Sequence, residues 1–295
     1  MSSVERAARV LKSLKDEEWK TLMGLERAAS AVGTANIGMV SRLGRLPPER
    51  VSFALKGLER NGLVARRGVG FNLTKEAVEL MALHELVRRD LVAALGAIIA
   101  KGKESDVYEA YTEEGSLYAL KFFKLGRTSF TRVRQKRFTE RSGIKDWMAV
   151  NYEAARREYA ALKKLEGLSD TFPRAFAFNR SAVLLQQVSG FRLSERPELA
   201  DPGDALWRVL HAVREAYAKA GLVNADLSEY NVLTDGESLW LIDWPQAVGT
   251  DHPNWKELLR HDVTSVVAFF RRAYRVTMDG GRAYEFVTGD VESLE

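Results

Sequence analysis

The chain of 295 residues is 46% hydrophobic and carries 44 Lys and Arg against 40 Asp and Glu, with no cysteine. This length and apolar content allow two domains with their own cores and argue against a largely disordered chain. The lack of cysteine excludes disulfide scaffolds and cysteine-based zinc or iron–sulfur sites. No signal-peptide pattern is visible, and the longest apolar run, residues 91–100, has about half the length of a membrane span. We therefore expect a soluble, cytoplasmic protein without a membrane segment.

Helical periodicity dominates the first ninety residues. Apolar residues recur at steps of three and four positions, which predicts helices over residues 4–14, 16–32, 37–44, 48–60 and 75–95. In the fourth of these helices, Pro48 suits the first turn and Asn61-Gly62 is a stop signal. The residues that we expect to be buried on this helix are Val51, Phe53, Ala54 and Leu58.

A glycine-rich ribbon follows these helices. Residues 63–74, LVARRGVGFNLT, alternate around a turn and predict two short strands. Helices followed by such a ribbon are the order of a winged helix, which we assign to residues 1–90. Residues 1–95 hold sixteen Lys and Arg against eleven Asp and Glu, so we expect nucleic-acid binding, with protein docking as the alternative. The candidate phosphate contacts are Lys56, Arg60, Arg66 and Arg67.

Residues 91–285 have a different character. Strand and turn patterns fill residues 96–125, and the segment 152–168 predicts a helix. A strand pair is expected around residues 174–188, and helices from residue 201 onward. The intervening segment 124–146 holds eight Lys and Arg against two Asp and Glu, and we expect a loop that contacts an anionic partner.

Three polar residues stand in a distinctive order near the end of the chain. NADLSEYNVL places Asp226 five positions before Asn231, and the apolar strand of LWLIDWPQ ends in Asp243. Turn chemistry explains one such residue well and all three poorly. Phosphoryl transfer needs these residue types, because an aspartate and an asparagine supply oxygen ligands to Mg²⁺ or Mn²⁺ and a second aspartate orients the acceptor. We therefore predict Asp226 as the catalytic aspartate, with Asn231 and Asp243 as metal ligands.

Two further residues complete this hypothesis. YALKFF places Lys121 on a strand among apolar neighbours, and Glu158 follows on a helix. A strand lysine held by a helix glutamate can grip the phosphates of ATP. Each residue alone has an ordinary explanation, since Lys121 suits a strand edge and Glu158 a solvated helix face. The order lysine, glutamate, Asp-x4-Asn, aspartate is much more specific than any of its parts.

The chain from about residue 5 to 280 resembles the RIO family of atypical protein kinases, and most of all the RIO kinase 2 subfamily, which has an N-terminal winged helix. The resemblance rests on GKESDVYEA, ALKFFKLGRTSF, REYAAL, NADLSEYNVL and LIDWPQAVGTDHPN. It implies an α+β protein in which a winged helix-turn-helix domain precedes a compact, two-lobed kinase-like domain, with lobes at about 91–187 and 188–285. It also implies binding of ATP and a divalent metal, and a role in maturation of the small ribosomal subunit. Its RNA or pre-ribosomal particle is then the expected partner of the winged helix and of the segment 124–146.

The resemblance also implies a nucleotide site. By position in LLQQVSG, the Gln186 carbonyl and the Val188 amide would contact the adenine edge. The residues expected around the adenine ring are Val107, Ala119, Leu233 and Ile242. Those expected to face the triphosphate are Lys103, Glu104 and Ser105. By the family's pattern, autophosphorylation is expected at Ser129, with Thr128 and Thr131 as further candidates, and the metal-binding aspartate is able to accept phosphate.

One position departs from the family. Members usually carry His-Gly before the catalytic aspartate, whereas this chain has Asn224-Ala225. An asparagine donates and accepts hydrogen bonds and can hold the loop as a histidine does, but Ala225 requires a backbone that tolerates a Cβ. Two alternatives therefore stay open: a non-catalytic assembly factor gated by nucleotide binding, and a small-molecule phosphotransferase of the aminoglycoside or choline type.

Overall fold

The computed structural model describes residues 2–32, 34–125 and 147–292. Its helices are α1 (Ser3–Leu11), α2 (Asp16–Val32), α3 (Ile37–Gly44), α4 (Pro48–Arg60), α5 (Lys75–Arg88), α6 (Trp147–Leu165), α7 (Pro202–Ala220), α8 (Trp255–Tyr274) and α9 (Gly280–Thr288). Its strands are β1 (Val64–Arg67), β2 (Gly70–Leu73), β3 (Ala94–Lys101), β4 (Ser105–Tyr111), β5 (Leu117–Phe123), β6 (Ala175–Asn179), β7 (Ala182–Gln186), β8 (Phe191–Arg192), β9 (Leu222–Val223), β10 (Val232–Thr234), β11 (Leu239–Leu241) and β12 (Val248–Gly249). The predicted α+β class is confirmed.

Two compact units make up the chain. The first comprises Met1–Ala155 and Phe178–Ala182, and the second comprises Arg156–Ala177 and Val183–Glu295. The chain passes from one unit to the other within α6 and within the β6–β7 hairpin. The predicted domain limits, residues 1–90 and 91–285, describe a different division and stay a prediction.

The N-terminal winged helix is confirmed. Helices α2, α3 and α4 precede the antiparallel β1–β2 hairpin, and Ala35 adds a bridge to Phe71 on its open side. The Asn36 side chain caps α3 by accepting a hydrogen bond from the Met39 amide. Pro48 opens α4, and Gly62 follows its end at φ 71°, a conformation that glycine adopts without strain.

Two details of the N-terminal prediction were wrong. Helix α5 ends at Arg88 instead of residue 95, because Asp90 adopts φ 55° and Ala94 already begins β3. Phe53 is 65% exposed, not buried. Successive helical residues are rotated by about 100°, so the buried positions Val51, Ala54 and Leu58 share a face that excludes position 53.

A half-buried ion pair joins distant parts of the first unit. The Arg180 guanidinium donates two hydrogen bonds to the Glu26 carboxylate of α2, at 2.7 and 2.8 Å, and a third to the Met81 carbonyl of α5 at 3.3 Å. The Tyr152 hydroxyl of α6 donates to the same carboxylate at 2.6 Å. Glu26 therefore holds the turn between β6 and β7 and the start of α6 against the winged helix.

The second unit is built around one apolar cluster. Helices α7, α8 and α9 contribute most of its buried residues, and the segment 227–244 extends it with Leu227, Val232, Leu241 and Trp244. Asp201 caps α7 by accepting from the amides of Gly203 and Asp204. No helix in the described ranges combines the length and apolarity that a membrane span requires.

Candidate active site

The first unit presents Lys121 on a regular antiparallel sheet. The register of β4 and β5 places Val107 opposite Lys121, and Ala119 is two positions away on the same strand. Because side chains alternate between faces of a strand, these three residues share one face of the sheet. Lys121 is only 6% exposed, and its Nζ lies 4.8 Å from the centre of the Phe123 ring. An apolar surface with a buried cation is the arrangement expected for this part of a nucleotide site.

The turn between β3 and β4 carries the predicted triphosphate residues. Lys103 and Glu104 are exposed and Ser105 is half-buried. The Gly102 amide donates to the Ser105 carbonyl at 2.9 Å, and the Lys124 amide donates to the Glu104 carbonyl at 2.8 Å. These backbone bonds fix the turn against the end of β5 and leave two side-chain positions facing solvent.

The second unit brings Asn231 and Asp243 together at the open end of a hairpin. Val232 of β10 pairs with Leu241 of β11, so the next residues outward meet, and the Ile242 amide donates to the Asn231 carbonyl at 2.9 Å. Asp243 follows directly. The side-chain amide of Asn231 donates to the carbonyl of Asp226 at 2.8 Å. One hairpin and one loop therefore bring the backbone segments of Asp226, Asn231 and Asp243 together.

Asn224 links the loop that bears Asp226 to the segment that bears Asp243. Its side-chain oxygen accepts a hydrogen bond from the Asp226 amide at 3.2 Å, and its side-chain nitrogen donates to the Asp243 carbonyl at 3.3 Å. This is the double role that we predicted for an asparagine at this position. The side chain is 4% exposed, so both bonds form away from bulk water.

The backbone is strained at both ends of this link. Ala225 has φ 66° and Asp243 has φ 69°, in the left-handed region where a residue with a Cβ is disfavoured. Such conformations cost on the order of 1–2 kcal/mol for an alanine. A glycine at position 225 would adopt this conformation without the strain.

Asp262 on α8 is the residue that the sequence analysis missed. Its two carboxylate oxygens accept hydrogen bonds from the amides of Ala225 at 2.7 Å and of Leu227 at 3.0 Å. Burial raises the pKa of Asp262 to about 7, with the nearby charge of Asp226 acting in the same direction and the two amides opposing it. Asp262 therefore holds the residues on both sides of Asp226. The sequence does offer one signal for this residue, because Asp262 is a carboxylate at an apolar position of an amphipathic helix, where an acidic residue is rarely buried without a partner.

Trp244 is a second anchor beyond the predicted residues. It is 1% exposed, and its ring lies edge-on to Phe172 with centroids 5.6 Å apart. Its indole nitrogen donates to the Leu241 carbonyl at 2.9 Å, and its backbone amide donates to Glu158 at 3.4 Å. Trp244 thus fixes the chain immediately after Asp243 and positions it next to the buried Glu158.

The structure describes the surroundings of some of the remaining predicted residues but does not test all of the predicted contacts. In the second unit, Gln186 uses its backbone amide and side-chain oxygen to pair with Arg174, at 2.8 and 3.2 Å. Val188, Leu233 and Ile242 are half-buried in the same unit. The Lys121–Glu158 pair and the closed adenine pocket would join the two units and stay predictions. Thr128, Ser129 and Thr131 lie outside the described residues.

Known proteins share this arrangement. The model of the RIO domain matches residues 106–282. The RIO-type serine/threonine-protein kinase Rio2 of Methanocaldococcus jannaschii is 30% identical over 262 residues, which cover 84% of this chain and 96% of that one. The serine/threonine-protein kinase RIO2 of Caenorhabditis elegans is 31% identical, with 90% of this chain matched to 51% of that protein. A crystal structure of the Chaetomium thermophilum Rio2 kinase with ADP, Mg²⁺ and a phosphoaspartate superposes with a TM-score of 0.81 at 26% identity, covering 96% of this chain and 88% of that one.

The chain therefore belongs to the RIO family of atypical protein kinases. Its relatives within that family include serine/threonine-protein kinases of the Rio2 type. The predicted family and enzyme class are thereby confirmed, and the small-molecule phosphotransferase alternative is not retained. ADP and Mg²⁺ in the Chaetomium kinase agree with the predicted nucleotide and metal.

Ala225→Gly should stabilise the protein. Glycine removes the Cβ strain at φ 66° but increases the entropy of the unfolded chain, so we expect a net gain of about 0.5–1 kcal/mol in the free energy of unfolding. Chemical denaturation measures it. The control is Ala160→Gly on an exposed, regular turn of α6, which should instead lose about 1 kcal/mol. Equal losses for both variants would contradict the strain at Ala225.

Asp262→Asn should change how stability depends on pH. The folded-state pKa of Asp262 is about 7 against an ordinary value of 3.8, so the unfolded chain releases this proton first as the pH rises. The free energy of unfolding of the wild type, relative to the variant, should therefore fall between about pH 4 and pH 7 and level off above. Denaturation curves at several pH values measure this difference. Asp204→Asn, at an exposed position on α7, controls for removal of a charge, and an Asp262→Asn difference that is flat with pH would refute the assignment.

Proposed function

We propose that this protein uses ATP and Mg²⁺ or Mn²⁺ to phosphorylate serine and to hydrolyse ATP, with Asp226 as its catalytic aspartate. The observation that carries the proposal is the assembly of Asp226, Asn231 and Asp243 by Asn224 and Asp262, which fixes the loop without a substrate. Preorganised polar groups of this kind are what phosphoryl transfer requires of a protein.

The residues fit a divalent cation. Asn231 and Asp243 offer an amide oxygen and a carboxylate at the end of one hairpin, and hard cations such as Mg²⁺ prefer oxygen ligands. A Mg²⁺ site that serves a nucleotide usually takes one or two protein ligands and completes its shell with phosphates and water. When bound, the ion offsets the negative charge of the phosphates.

The protein's own groups have distinct roles in this proposal. Asp226 accepts the proton of the attacking hydroxyl or orients the attacking water. The hydrogen bonds of Asn224 and Asp262 keep the Asp226 backbone in place while its carboxylate acts. Lys121 supplies a buried cation to the phosphates, and Val107 and Ala119 supply the apolar surface for the base. Lys103, Glu104 and Ser105 contact the triphosphate from the turn.

Asp243 is also the proposed phosphate acceptor within the protein. In the Chaetomium kinase an aspartate carries phosphate in the presence of ADP and Mg²⁺. Attack by a carboxylate oxygen of Asp243 on the γ-phosphorus would release ADP and leave an acyl phosphate, which water then hydrolyses to restore the carboxylate. ATPase activity follows from this cycle, and serine phosphorylation at Ser129 would be a competing outcome.

ATP turnover tests the proposal directly. Asp226→Asn and Asp243→Asn should each reduce metal-dependent ATP hydrolysis by at least about 100-fold, because each removes a carboxylate that acts in the transition state. Release of inorganic phosphate measures the rate, and an acyl phosphate sensitive to hydroxylamine should be absent from Asp243→Asn. Asp204→Asn is the matched control on α7 and should keep the wild-type rate.

The same experiment separates the non-catalytic alternative. Equal hydrolysis by wild type and Asp226→Asn, together with metal-dependent ATP binding by both, would support a nucleotide-gated assembly factor instead. Loss of ATP binding in Lys121→Ala, with the melting temperature unchanged, would support the proposed phosphate contact in either case.

We further propose that the protein acts in the cytoplasm on the small ribosomal subunit or its precursor, and that the winged helix binds its RNA. The excess of five positive charges in residues 1–95 supports this partner. Lys56 and Arg60 are exposed on α4, and Arg66 and Arg67 are exposed on the hairpin. The Arg66 guanidinium lies over the Phe71 ring at 5.2 Å, which extends it along the hairpin surface.

Charge reversal of Arg66 and Arg67 should weaken RNA binding and its dependence on salt. Each lost phosphate contact reduces the slope of log K against log salt by about 0.7–0.9, so two should reduce it by about 1.5. Fluorescence anisotropy with labelled RNA measures the slope, and ATP hydrolysis should be unchanged. The double reversal Lys163→Glu and Lys164→Glu on α6 is the matched control. An equal slope for wild type and the hairpin variant would leave the winged helix as a protein-docking module.

A further inference from the structure

Phe53 lies in an unusual setting on the surface of the winged helix. It is 65% exposed on α4, and Lys56 and Arg60 follow it at steps of three and four positions. Residues at these steps share one helix face, so an aromatic ring and two cations form a single exposed stripe. An isolated exposed apolar residue needs no explanation, but Phe53 also forms the wall of a groove.

The groove lies between α4 and the segment that joins α1 to α2. Its volume is about 420 Å³, within the range of small-ligand pockets. Gly57 of α4 also lines it, and a Cβ at this position would lie 2.5 Å from a Glu18 side-chain oxygen, so the Glu18 carboxylate lies directly over Gly57. The other lining residues are Ser13, Lys15, Glu17, Glu18, Ala54, Arg60 and Asn61.

The polar groups of the groove define what it can hold. One Glu18 oxygen accepts the Lys15 amide at 2.9 Å, which fixes the carboxylate while its other oxygen lies over Gly57. Asn61 adds a side-chain amide that both donates and accepts. Inside the groove the carboxylates of Glu17 and Glu18 are balanced by the cations of Lys15 and Arg60, so the lining suits a neutral group that donates a hydrogen bond. Along the exposed stripe, Lys56 and Arg60 favour an anion. A flat heterocycle with an amino group inside and a phosphate outside satisfies both conditions.

We propose that α4 and this groove bind one unpaired nucleotide of RNA whose base carries an exocyclic amine. The base stacks on Phe53, its amino group donates to Glu18, and the adjoining phosphates contact Lys56 and Arg60. Stacking on an aromatic side chain is the usual way in which unpaired bases are held. This inference rests on the proposed RNA partner and adds a base-dependent contact to the charge-dependent binding.

An RNA duplex with one bulged adenosine tests the contact, against the same duplex with an abasic bulge. Phe53→Leu keeps an apolar side chain but removes the ring, so it should weaken binding of the bulged adenosine by about 5- to 100-fold. It should leave binding of the abasic duplex unchanged, because that RNA has no base to stack. Fluorescence anisotropy at several salt concentrations measures both affinities, and the salt slope should be the same for wild type and Phe53→Leu.

Two variants serve as controls, and a third tests the contact with the base. Phe53→Tyr keeps the ring and should bind as the wild type does. Phe191→Leu removes a phenylalanine of similar exposure, 62%, from β8 in the second unit and should have no effect. Glu18→Gln should reduce the ratio of the affinities for a bulged adenosine and a bulged uridine, because only adenine has an exocyclic amine that can donate to the Glu18 carboxylate.

The outcomes separate this inference from the proposed partner. If Phe53→Leu loses the same affinity for the adenosine and abasic duplexes, or loses none for either, the stacking contact is overturned. Salt-dependent RNA binding by the wild type would still support the proposed RNA partner. A wild-type protein that binds none of the RNAs overturns both. Rescue by Phe53→Tyr together with a loss confined to the adenosine bulge supports the inference.

Discussion

The buried carboxylate of Asp262 is the constraint on which the site in the second unit depends. It receives two backbone amides from either side of Asp226, and no water competes for them at 1% exposure. Each such bond to a charged acceptor contributes about 1.5–3 kcal/mol, which offsets only part of the cost of burying the charge, since the pKa of Asp262 is still raised to about 7. The loop on either side of Asp226 is thus held through its backbone amides. Asn224 extends the same principle by joining that loop to the Asp243 carbonyl.

The pair Asn224-Ala225, which replaces the His-Gly pair expected from the resemblance, changes the backbone strain of the loop more than its hydrogen bonds. Asn224 makes the link that the loop requires, so the hydrogen-bond framework is complete. Ala225 instead retains a left-handed backbone that glycine would adopt freely. Asp262 accepts hydrogen bonds from the amide of Ala225 itself and from that of Leu227, and these bonds resist relaxation of the strained backbone. Strain of this kind persists at functional sites where the surrounding contacts over-determine the backbone.

The sequence specifies the hairpin that bears Asn231 and Asp243 because its information is local. Apolar runs and a turn define β10 and β11, and the two polar residues follow from their ends. The contribution of Asp262 is not local, since it acts across 37 residues and its partners are backbone amides that carry no sequence signature. Phe53 shows the converse error, because its hydrophobic character suggested burial although its angular position on α4 excludes it. The residue types in the sequence were enough to predict the chemistry of the site. The direction in which each side chain points could only be read from the structure.

The carboxylate of Glu26, which several segments share, affects how this protein can be truncated. Arg180 from the β6–β7 turn and Tyr152 from α6 both bind it, and Met148 of α6 lies in the same apolar cluster as the winged helix. A chain shortened to begin after residue 90 would keep Arg180 but lose the Glu26 carboxylate that neutralises it, and a half-buried charge without its partner destabilises the fold. The same cut would bare the apolar side of α6 that Met148 occupies. The winged helix is therefore not a detachable module of this kinase but part of its scaffold, and gene fusions or swaps that exchange it must carry the Glu26 partners with it.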